Sequence, residues 1–127
     1  MVKSSIKALF AVFAFGISPL AVAQQLDIMQ IMGQFVQSNY AASQCIKPDQ
    51  KTLSSFLTNF KVVSIRTIEE LKKRNPEQSE QQIIANLKQR TGAVEKAISE
   101  AIRSNGCSDP RIQDLLKRFE IQANLKL

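Results

Sequence analysis

Apolar side chains recur at spacings of three and four along four stretches of this chain, separated by prolines and glycines. That pattern predicts amphipathic helices, because a helix returns a side chain to the same face about every 3.6 residues. From Leu26 to Gln44 the stripe is Ile28, Met29, Met32, Phe35, Val36 and Tyr40, with Asp27 in the first turn, where a negative charge is favoured. Pro48 forbids continuation. The second stretch, about Gln50 to Arg74, carries Leu53, Phe56, Leu57, Phe60, Ile68 and Leu71. Its middle, Val62 to Thr67, is rich in β-branched residues and reads as one bent helix, against a strand or a kink. Thr67 followed by Glu70 also spells a capping box, so a helix restart there is the competing reading.

Asn75-Pro76 makes the next break, and Ser79 with Gln82 is a second capping-box pattern. The third helix then places Ile83, Ile84, Leu87, Thr91, Val94, Ile98, Ala101 and Ile102 on one face. Gly92 inside it costs about 1 kcal/mol relative to Ala, which suggests a hinge or a close helix crossing. Asn105-Gly106 ends that helix, Gly being preferred just past a helix terminus. Ser108 or Asp109 then caps a fourth helix with Pro110 at its first position and Ile112, Leu115, Leu116 and Phe119 as its stripe. Helices with one apolar face must bury those faces against one another, so the expected fold is all-α, an orthogonal array or irregular bundle of four helices.

Ahead of the helices lie two lysines, an apolar run from Ala8 to Leu20, and Ala21-Val22-Ala23 before Gln24. These are the three parts of a secretory signal peptide spanning residues 1–23, with cleavage expected between Ala23 and Gln24. Gly16, Ser18 and Pro19 interrupt a run shorter than the roughly 20 residues of a membrane span, so no stable membrane anchor is expected. Residues 24–127 then form a single helical domain, periplasmic or secreted. Cys45 and Cys107 are 62 positions apart, unlike a redox or metal motif. An even cysteine count in an exported chain argues for one disulfide.

Composition narrows the chemistry further. The chain has no His and no Trp, which removes His-based triads and His-ligated zinc, and Tyr40 is its one tyrosine. The nearest carboxylates are Glu69-Glu70 and Asp109 with Asp114. Glu69 and Glu70 point about 100° apart on a helix, and Asp109 is better explained as a cap, so neither set suits shared acid–base work. No catalytic residue, cofactor or metal site is therefore expected. The full chain carries a net charge of +6. Lys3 and Lys7 fall in the leader, so fifteen basic residues remain against 11 acidic ones, or +4. The basic residues are dispersed, and the run Lys72-Lys73-Arg74 fits the last turn of a helix, so no nucleic-acid partner is expected. Met29 and Met32 with Phe35 are candidates to line a small-molecule pocket, against the plainer reading that they fill the core stripe.

Cys45-Ile46-Lys47-Pro48, Thr52-Leu53, Asn75-Pro76-Glu77 and Ala101-Ile102 before Cys107 resemble the periplasmic immunity proteins of the Rap/Tai type over residues 45–107. The resemblance implies a small exported helical protein with one disulfide that blocks a cell-wall amidase delivered by a neighbouring cell's type VI secretion system. Here the segment between the cysteines is longer by several helical turns and a sizeable helix follows Cys107, so no inhibitory residue is carried over. The chain is also similar to the HdeA type of acid-stress chaperone, which implies a surface that turns strongly positive in acid. The expected function is thus binding of a protein partner such as a secreted hydrolase, with acid-dependent chaperoning or ligand binding as alternatives.

Overall fold

The computed structural model describes residues 27–127; the leader and the Ala23–Gln24 cleavage point lie outside the described residues. Four helices follow in order: α1 Ile28–Cys45, α2 Gln50–Arg74, α3 Glu80–Asn105 and α4 Pro110–Ala123. None of these is long and apolar enough to cross a membrane. Each helix starts on a local side-chain cap. Asp27 is the N-cap of α1 rather than a first-turn residue, in a capping box with Gln30. Asp49 caps α2 through the Thr52 N–H at 2.8 Å. Ser79 and Gln82 form their box on α3, and Asp109, not Ser108, caps α4 with Pro110 directly after it. Gly106 ends α3 at φ 79°, a conformation that a side chain would strain.

The β-branched middle of α2 is helical throughout. Thr67 does not restart the helix, because its buried hydroxyl donates to the Val63 carbonyl at 2.8 Å. Ser64 does the same to Phe60 at 2.8 Å. Each hydroxyl satisfies itself one turn back and competes with no backbone N–H ahead of it. Gly92 likewise lies within unbroken helix, and a Cβ built there would meet nothing within 4 Å, so it does not serve a close helix crossing.

Two apolar clusters hold the helices. The larger joins α1, α2 and α4 through Phe35, Ala42, Phe56, Val63, Phe119 and Ala123. The smaller, at the disulfide end, joins α1, α3 and α4 through Ala41, Ile98 and Ile112, with Tyr40 and Cys45 packed against it. Cys45, the last residue of α1, is bridged to Cys107 just beyond α3. Asn59, Ser38 and Gln122, polar residues caught in the interior, are satisfied across helices. Asn59 of α2 donates to the carbonyls of Gln122 at 2.8 Å and Leu125 at 3.0 Å, closing the C-terminal end of α4. The Ser38 hydroxyl reaches the Gln122 side chain from α1.

The α3–α4 junction carries its own ionic clasp. The buried Asp109 carboxylate accepts from the Arg111 N–H at 2.7 Å, the Arg111 guanidinium at 2.8 Å and the Asn105 amide at 3.0 Å. Arg111 first, then its backbone N–H and Asn105, hold that carboxyl well below the usual carboxylate range. A carboxyl depressed by folding stabilises fully above its unfolded value near 4, and that stability is lost as pH falls through the folded value. Urea midpoints of the wild type and Asp109→Asn from pH 7 to pH 2 should therefore differ by a constant amount above about pH 5 and converge only below about pH 4. A gap that closes between pH 7 and pH 5 would show that Asp109 is not the group responsible.

Candidate functional site

Helix α3 is the loosely held element. Of its 26 residues only Ile83 and Ile98 are buried, about 22 Å apart along the axis. Between those anchors its midsection spans recesses open to solvent. One, of about 170 Å3, lies between α1 and α3. Helix α1 presents Met29, Met32, Gly33 and Val36 to it, and α3 presents Leu87, Arg90, Thr91 and Val94. The two sets share the spacing i, i+3, i+4, i+7, which is the spacing of one helix face. The seam does not close at its i+4 position on α1, because Gly33 has no side chain and a Cβ there would touch nothing within 4 Å.

Two further recesses adjoin this one. Leu87 and Arg90 also line a more polar hollow of about 180 Å3 that includes Asn75, Gln78 and Asn86. Met32, Leu87 and Thr91 are shared with a third, of about 290 Å3, which reaches Ile68, Lys88, Gly92 and Glu95. The methionine reading is thus divided by the structure. Met29 and Met32 line the recess, and Met32 also packs against the larger core. Phe35 is in the core and outside the recess, its ring centroid 5.4 Å from that of Phe56.

A second surface lies at the far end of α4. Ile121, Leu125 and Leu127 are 63%, 42% and 52% exposed within seven residues, and Asn59 fixes the backbone that carries them. Leu125 lines a shallow depression of about 410 Å3 together with Lys51 and Lys126 and with Ser54, Ser55 and Thr58. No carboxylate lines it. Leu57, assigned to the buried stripe by its spacing, is instead 47% exposed on α2.

Three of the four carboxylates singled out in the sequence are engaged structurally. Glu70 pairs with Arg74 at 3.1 Å, Asp109 is the α4 cap, and Asp114 pairs with Arg118 at 3.2 Å. Lys72, Lys73 and Arg74 occupy the last turn of α2, where Lys72 donates to the Gln78 carbonyl and Arg74 lies 3.9 Å from the Asp27 carboxylate. Sequence reasoning missed Gly33, Leu87 and Arg90 as a group, although the identical spacing on two helices was a usable signal. Comparison with models of protein families, with curated proteins and with solved structures finds no match to this chain.

Proposed function

We propose that this protein is exported to an oxidising compartment and acts by binding another protein, with the exposed end of α4 as the contact surface. The bridge between Cys45 and Cys107 supports the compartment, since such bonds persist where thiols are not kept reduced. The observation that carries the binding reading is exposed Leu125, between exposed Ile121 and Leu127 in the sequence, lining one depression with Lys51 and Lys126 on a backbone held by Asn59. Exposed apolar side chains with a polar and cationic rim are the composition of a protein interface, and Lys51 and Lys126 in the depression favour an acidic group on the partner there. The resemblance to immunity proteins makes a secreted cell-wall hydrolase the leading partner.

Pull-down from periplasmic extract with the oxidised protein tests this at neutral pH and near pH 3. One stoichiometric hydrolase should be retained at neutral pH and lost with Ile121→Glu/Leu125→Glu, since central interface anchors each contribute about 2 kcal/mol or more. Both side chains are exposed, so circular dichroism should be unchanged. Many unrelated clients captured only in acid would replace this reading with the chaperone one.

A further inference from the structure

We propose that the recess between α1 and α3 is a site for a single-chain amphiphile with a carboxylate head, separate from the protein-binding surface on α4. The alkyl chain would lie along Met29, Met32, Val36, Leu87 and Val94, and the carboxylate would meet Arg90 where the apolar and polar hollows join. Three observations converge on that ligand. The lining of the apolar part is hydrocarbon and thioether apart from Arg90 and Thr91, and flexible thioethers adapt to an unbranched chain. Eight residues on each helix, Met29 to Val36 and Leu87 to Val94, give the seam a length of roughly 10 Å, which suits a chain laid lengthwise.

The charge is the second observation. Arg90 makes no ion pair among the described residues, and no carboxylate lines either hollow it borders. Asn75, Gln78 and Asn86 line the polar side with amides, whose N–H groups can solvate an anion while adding no negative charge beside Arg90. Glu95 lines the neighbouring hollow past Met32 together with Lys88, and Asp27 at the start of α1 lies 3.9 Å from Arg74, so neither carboxylate is part of the lining around Arg90. The third observation is Gly33. A mid-helix glycine costs about 1 kcal/mol relative to Ala and here relieves no contact, so its effect is to keep the seam open.

Titration calorimetry of the exported, oxidised protein with decanoate, and with decyltrimethylammonium as the opposite charge, tests the assignment below the micellar range. Decanoate should bind one per chain, and the cation about tenfold more weakly or not at all, the size expected of one charge-assisted hydrogen bond. Arg90→Glu, on an exposed position of α3, should weaken decanoate by at least about tenfold and remove the preference for the anion. Gly33→Leu should abolish binding of both probes while the thermal midpoint holds or rises, because Leu is a strong helix former entering open space. Equal binding of the two probes, or decanoate binding unchanged by Gly33→Leu, would overturn the proposal. So would binding of the peptide acetyl-Leu-Leu-Glu-amide without binding of decanoate, which would make the seam a peptide groove.

Discussion

The double variant Cys45→Ser/Cys107→Ser is expected to lose about 4 kcal/mol of stability, because the bridge closes a loop 62 residues long in the unfolded chain. Against a total of roughly 5–15 kcal/mol for a domain of this size, that leaves a fold close to its threshold. The loss should not be uniform. The bridge fastens the far end of α3 to α1, and α3 is otherwise held by Ile83, by Ile98 and by half-buried neighbours. Helix α3 should therefore open first. Amide exchange would show protection falling in residues 80–105 before it falls in α2 or α4. Tyr40, packed in the cluster beside Cys45, gives an intrinsic fluorescence report of the same event, undisturbed by tryptophan. A urea midpoint unchanged within error would mean that the bridge constrains nothing in the unfolded state. Uniform exchange would mean that α3 is not a separate unit.

Much of this architecture is legible in the sequence because its determinants are local. Ser79 with Gln82, Asn105-Gly106, and Asp109 before Pro110 fix helix ends by contacts within three or four residues, and the structure uses each of them. The readings that the structure sets aside or divides share a physical origin. Thr67 has the spacing of a cap, but in the middle of a helix the carbonyl one turn back lies nearer than an N–H ahead. Met29, Met32 and Phe35 look like one stripe, yet Met29 and Phe35 lie about 120° apart around a helix and face different neighbours. Phe35 therefore meets α2 while Met29 meets α3. The seam itself is illegible in one stretch of chain, because its two walls come from helices far apart in sequence, Met29 and Leu87 lying 58 positions apart. Asn59 was hidden for the same reason, since its acceptors at Gln122 and Leu125 lie on α4 and beyond it.

Phe56→Ala is expected to cost about 3–5 kcal/mol, the range for truncating a fully buried aromatic. Phe56 is 0% exposed and is the hub of the larger cluster: its ring stacks on Phe119 at 4.3 Å and meets Phe35 at 5.4 Å and Phe60 at 5.8 Å. Removing it leaves a void bounded by three rings on three helices, and rings so constrained cannot collapse into the space. The loss therefore includes the missing contacts of the neighbours as well as the transfer of one benzyl group. Phe60, which is only half-buried, should cost less when truncated. The lesion differs in kind from loss of the bridge. It lies where α1, α2 and α4 meet, so protection should fall across those three helices together, while the Cys45–Cys107 link still restrains α3. Leu116 packs against both clusters, so a triple variant combining the two lesions should depart from additivity. Urea unfolding of the wild type, Phe56→Ala and Phe56→Leu decides the point. Leu should recover more than half of the loss by refilling the space, and a cost below about 1 kcal/mol for Ala would show that the three rings can close the gap.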